Sequence, residues 1–178
     1  MRATQRVCRE CRGKTKVIRK DYRFIESGLN NVFLKDVEVV VCSGCKGESP
    51  RVSNHNDLIR TIAVALVGKP CELAGDEVRF LRKYLGERSL SFAKMLGIDR
   101  SHLSRIESGA MAISRQTDRL VRTLALVHDP ALVQKLKKLG RYKEALRRLS
   151  EIETDVNPIE VQLGHEPDGY TYDLKVAA

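Results

Sequence analysis

Apolar positions along this chain change their spacing twice, from strand-like alternation to a helical repeat and back. Lys14–Ile25 alternates in part, with Ile18, Tyr22 and Phe24 on one face, and Val32–Val41 is rich in β-branched residues. Lys35-Asp36 reads as a turn or bulge within the second stretch, and Ser27-Gly28 and Asn30-Asn31 are turn signals between the two. Residues 48–56 read as a linker. Beyond it Leu58, Ile59, Ile62, Ala63 and Leu66 fall on one helical face, and Gly68-Lys69-Pro70 ends that helix.

The helical repeat then persists to about residue 150. Val78, Leu81 and Leu85 line one helix, and Phe92, Ala93 and Leu96 line the next. Gly97 supplies a positive-φ turn, Ile98 plugs the corner, and Asp99 caps a further helix whose inward residues are Leu103 and Ile106. Two short helices joined by three residues is helix-turn-helix geometry, in which the second helix enters the major groove of DNA. Ser114 caps a helix with Leu120, Leu124 and Val127 on one side, and Asp129-Pro130 restarts another by a cap and an N1 proline. Apolar faces beyond a compact five-helix unit serve either core packing or a twin subunit. After Glu151, Ile159–Leu163 and Tyr170–Val176 alternate again around a turn at His165–Gly169, which fits either a hairpin or a tail that orders on a partner.

Charge sharpens the picture. The formal net charge is +9, yet from Glu151 onward seven acids face the single base Lys175, so the tail carries −6 and residues 1–150 carry +15. A positive body with an acidic tail suits a polyanionic partner, nucleic acid first; a soluble basic protein with a solvated face is the alternative. No apolar run is long enough to span a bilayer, and Arg-Ala-Thr-Gln-Arg after Met1 is no signal peptide, which points to the cytoplasm and reduced thiols.

In that setting Cys8-Arg-Glu-Cys11 and Cys42-Ser-Gly-Cys45 read as the four ligands of one structural Zn²⁺, each pair turning on its own loop. Gly13 and Gly47, each two residues after a second cysteine, let the backbone curl beneath the metal in positive φ. Four thiolates leave no open position for catalysis, and the βαβ setting of a redox Cys-x-x-Cys is absent. Cys71 stands alone as a bystander.

With Leu103 and Ile106 facing inward, Arg100, Ser101, Ser104 and Arg105 lie on the outer face of the second helix. Arg105 can pair bidentately with guanine O6 and N7, and Ser101, one turn away, can reach a base edge. Arg100, His102 and the start of the preceding helix, Arg88-Ser89, are placed for phosphates. The competing reading is two amphipathic helices of a bundle with a basic, solvated face.

The paired cysteines, the stretch Glu26-Ser-Gly-Leu-Asn-Asn-Val-Phe-Leu34, the run Gly75-Asp-Glu-Val-Arg-Phe-Leu-Arg-Lys-Tyr-Leu-Gly86 and Ser104-Arg-Ile-Glu-Ser-Gly109 together resemble the MqsA-type antitoxins. These are bacterial proteins with a YgiT-type zinc domain and a Cro/repressor-type helix-turn-helix domain. The resemblance covers roughly residues 6–127. It implies a homodimeric repressor that binds a palindromic operator in its own promoter, with a zinc half able to hold a cognate toxin. It also implies that the four cysteines are the metal ligands and that Ser101 and Arg105 contact bases. Residues beyond about 128 depart from the minimal pattern.

The expected fold class is therefore α+β in two domains. A small zinc-bound antiparallel β module (1–50) leads through a linker and connecting helix (51–70) to an all-α helix-turn-helix domain (71–128). Additional helices and an acidic, partly β-like tail (129–178) follow. The expected function is a sequence-specific DNA-binding repressor and antitoxin, not an enzyme: no phosphate loop, carboxylate pair or nucleophile–base arrangement is present. The alternatives are an adaptor gripping a protein through the zinc module and acidic tail, a stand-alone regulator without a toxin, or an RNA-binding zinc ribbon, which the 5% aromatic content disfavours.

Overall fold

The computed structural model describes residues 7–151 and 159–176. β1 (Thr15–Arg23) and β2 (Val32–Cys42) form an antiparallel pair, with a 3₁₀ turn at Ile25–Ser27 closed by Gly28 at φ 77°. The expected bulge is present. Between Lys20↔Val37 and Tyr22↔Leu34, two residues of β2 oppose the single Asp21, and Asp36 adopts φ 45°. The Asp21 carboxylate holds it, accepting from the Asp36 N–H at 3.0 Å and from Lys35.

The linker reading fails at its start, because Glu48–Pro50 is a short strand, β3, antiparallel to the end of β2. Seven helices follow among the described residues: α1 (His55–Gly68), α2 (Gly75–Tyr84), α3 (Ser89–Met95), α4 (Arg100–Glu107), α5 (Arg115–His128), α6 (Pro130–Lys138) and α7 (Tyr142–Ser150). The chain closes on a hairpin of β4 (Ile159–Glu166) and β5 (Gly169–Val176).

That hairpin overturns the expected fold class. β4 runs parallel to β2 with Val32↔Val161 and Leu34↔Leu163 in register, giving one mixed five-stranded sheet in the order β1-β2-β4-β5. β1 takes one edge of β2, while β4 and β3 share the other, at Val32–Leu34 and Val39–Val41 respectively. The sheet is thus built from both ends of the chain with the helices between. There is no small antiparallel module standing apart from an all-α helix-turn-helix domain. Tail residues Glu153 and Asp155 lie outside the described residues.

The same hairpin changes α1. Its apolar positions suggest one inward face, but every residue from Thr61 to Gly68 is buried. An element that is apolar all round has to be covered all round. Here the sheet, through Tyr170 and Tyr172, and helices α2, α5, α6 and α7 cover it.

Charged side chains tie these layers together. Asp57, in the first turn of α1, holds Lys135 of α6 through both carboxylate oxygens at 2.9 Å and the Tyr170 N–H at 2.7 Å. Arg122 of α5 is wholly buried. It donates to Asp118 at 2.5 Å and to the carbonyls of Lys69 and Cys71 at 2.6 Å and Val67 at 3.2 Å. These lie at and beyond the C-terminus of α1, where the last turn leaves carbonyls without helical partners. Lys69 in turn meets the buried Glu77 at 2.5 Å, and Glu77 accepts from Asn31 Nδ2 at 3.0 Å. Asn31 also donates to the Ile159 carbonyl at 2.8 Å, so one amide just before β2 links β4 and α2.

Candidate metal centre and reading face

The four cysteine sulfurs lie within 4.8 Å of one another, and this group can hold a metal ion. Cys8 approaches Cys45 at 3.7 Å and Cys11 approaches Cys42 at 3.4 Å, so each contact joins one knuckle to the other. Four thiolates around a tetrahedral ion with metal–sulfur bonds of about 2.3 Å would sit about 3.8 Å apart. Backbone N–H groups face the sulfurs: Gly13 points at Cys11 Sγ at 3.4 Å and Gly44 at Cys42 Sγ at 3.3 Å.

The glycines serve a different purpose from the one expected. The left-handed residues of the knuckles are Arg12 (φ 57°) and Lys46 (φ 61°), one position before Gly13 and Gly47. The glycines permit close approach instead. A Cβ on Gly13 would lie 3.2 Å from both Cys11 Sγ and Cys42 Sγ, and one on Gly47 would lie 3.3 Å from Cys45 Sγ.

Thiol ionisation is strongly split across the cluster. The Gly13 N–H, followed by the neighbouring thiols and the Cys45 backbone, lowers Cys11 to about 6. Cys45 is helped by the Gly47 N–H, but the other three sulfurs outweigh it and push Cys45 up to about 12. Binding a divalent metal must therefore displace protons. Its apparent affinity is expected to fall by more than tenfold per pH unit on acidification below pH 8, measured by competition with a chromophoric chelator. An affinity independent of pH would remove the thiols as ligands.

The second candidate site is the outer side of α3 and α4. The two helices are joined by a turn with Gly97 at φ 68°, and Phe92, Ala93, Leu103 and Ile106 are buried between them and their neighbours. Arg88 is the exposed N-cap residue of α3, and Ser89, at its first position, is half-buried. Arg100, Ser101, Ser104 and Arg105 are all exposed, and His102 is half-buried. Among the described residues, the Arg100 and Arg105 side chains have no ion-pair or hydrogen-bond partner. Asp99 caps α4 as expected, accepting from the His102 N–H at 2.7 Å.

The groups that hold α4 in place were not foreseen. Buried Glu107 receives Arg82 of α2 bidentately at 2.6 and 3.0 Å, and Arg79 donates to the Glu107 carbonyl at 2.6 Å. Arg82 also reaches the Glu87 carbonyl at 2.9 Å, which fixes the entry to α3. Gly75, at the head of α2, lies directly against the end of α4. A Cβ there would sit 2.1 Å from the Ile106 carbonyl oxygen. The only sequence signal for this arrangement was a glycine at a helix start and a glutamate beside an inward isoleucine.

Comparison of the chain with protein-family models, with characterised protein sequences and with solved structures gives no match.

Proposed function

We propose that this chain is a metal-stabilised, sequence-specific DNA-binding repressor that uses α4 as its reading helix. The observation that carries the reading is the contrast within α4. Its inner and terminal groups are locked by Arg79, Arg82 and Asp99, while the Arg100 and Arg105 side chains lie on an exposed face with no ion-pair or hydrogen-bond partner among the described residues. A helix held rigidly with free guanidinium groups is suited to phosphates and guanine edges. The donor set and the knuckle geometry fit one structural Zn²⁺, held by Cys8, Cys11, Cys42 and Cys45.

The reading includes a homodimer on a palindromic operator. Val127 on α5 and Leu146 on α7 are 69% and 43% exposed, and Leu120, Leu124 and Leu149 beside them are only half-buried. Exposed apolar side chains on α5 and α7 support pairing of two copies, which would present two reading helices to successive half-sites. As the resemblance in the sequence implies, the repressor is proposed to be an antitoxin that holds its toxin through the metal-bearing part.

The adaptor alternative draws less support. It needs a free acidic tail, yet residues 159–176 form a hairpin built into the sheet.

Binding to the DNA upstream of the gene is expected to weaken steeply with salt, because phosphate neutralisation releases counterions. Arg105→Ala should cost about 1–3 kcal/mol and relax preference at one base position. Fluorescence anisotropy with base-substituted duplexes measures both quantities. Unchanged affinity and unchanged base preference would eliminate Arg105 as a reader.

A further inference from the structure

We propose that Asp99 fixes the hydrogen-bonding sense of Ser101, so that Ser101 selects an amino base (adenine or cytosine) over a keto base (guanine or thymine). The inference rests on the proposal that α4 reads the major groove, and it specifies what one position of that helix reads.

A serine hydroxyl ordinarily donates or accepts and so tolerates either kind of base edge. Ser101 is different. Its Oγ lies 2.6 Å from Asp99 Oδ1, the oxygen that also caps the helix through the His102 N–H at 2.7 Å. The Ser101 hydroxyl, followed by that N–H, holds the Asp99 carboxyl below its ordinary range, so near neutral pH the carboxylate only accepts. The hydroxyl proton is therefore committed to Asp99. What Ser101 offers outward from its exposed position is oxygen lone pairs alone.

In the major groove those lone pairs match the N6 amino group of adenine or the N4 amino group of cytosine. Facing guanine O6 or thymine O4 they would set acceptor against acceptor, with water excluded. Arg105, one turn along, has the opposite character, since a guanidinium only donates. The helix thus presents a fixed acceptor and a fixed donor in series. Asp99 is a positioning residue here: it touches no base, and it acts by orienting the hydroxyl that does.

The test is selection of binding sites from a random duplex pool by the full-length protein and three variants. The wild type is expected to enrich a site in which one position favours amino over keto bases by about three- to tenfold, the worth of one hydrogen bond. Ser101→Ala should erase the preference at that position. Asp99→Ala frees the hydroxyl to donate, so the same position should accept keto bases about equally while the Arg105 position keeps its own preference. Asp99→Asn keeps an acceptor oxygen at the cap and should restore the wild-type pattern. A merely structural Asp99 would lower affinity for all sites alike and leave preference untouched; that outcome overturns the inference, as does a keto preference in the wild type. Failure of the wild type to enrich any site would overturn the DNA-reading proposal itself, and this inference with it.

Discussion

Arg122→Met is expected to lower the unfolding free energy by about 3–5 kcal/mol, as breaking a buried ion pair on one side does. The loss is not that of a single contact. Arg122 has no exposed surface, and its guanidinium neutralises Asp118 while satisfying the carbonyls of Val67, Lys69 and Cys71. With methionine there, those three carbonyls lose the guanidinium donor, and among the described residues the buried Asp118 carboxylate keeps the Leu73 N–H at 2.6 Å as its hydrogen-bond donor. Urea denaturation of Arg122→Met, Asp118→Asn and the double variant checks this. The double variant should lose less than the sum of the two singles, because the stranded charge is then absent. Strict additivity would show that the two side chains do not act as a pair.

Gly75→Ala carries the second large effect, and its sign opposes helix propensity. Alanine in place of glycine inside a helix ordinarily stabilises by about 1 kcal/mol. At this position the added methyl would lie 2.1 Å from the Ile106 carbonyl and 3.0 Å from the Gly109 nitrogen, both main-chain atoms. Neither can swing aside as a side chain does, so α2 and the end of α4 have to part. The expected cost is about 1–3 kcal/mol, in the range of core overpacking, with α4 displaced and, on the proposed function, weakened DNA binding. Thermal denaturation and DNA titration of the same sample decide it. A variant as stable as the parent would mean that the helix ends separate freely.

Features set by local chemistry were legible in the sequence. Asp99, Ser114 and Asp129-Pro130 mark helix starts because a capping side chain bonds to N–H groups two or three residues away. The cysteine spacing pointed to a four-sulfur cluster that could hold a metal ion, because each pair closes its own turn. What escaped depends on partners far along the chain. Nothing near Ile159 announces pairing with Asn31 and Val32, and a three-residue strand containing Pro50 looks like linker. Nothing in the sequence marks Lys69, Glu77 and Arg122 as buried, since only tertiary structure reveals what neutralises them. On the outer face of α4, residue spacing alone indicated which side chains point outward. It could not indicate that the proton of Ser101 is already committed, because that follows from a rotamer.

The junction of Asn31 with Ile159 spans 128 residues of sequence. During synthesis the cysteine knuckles, α1 and the paired short helices all leave the ribosome before the strand that completes their sheet. Until it arrives, the long edge of β2 is only partly paired and one flank of α1 lies bare, a state open to strand exchange between nascent chains on one message. Closing so distant a contact is entropically slow. An unpaired strand edge left open through that interval is the kind of surface on which nascent chains aggregate.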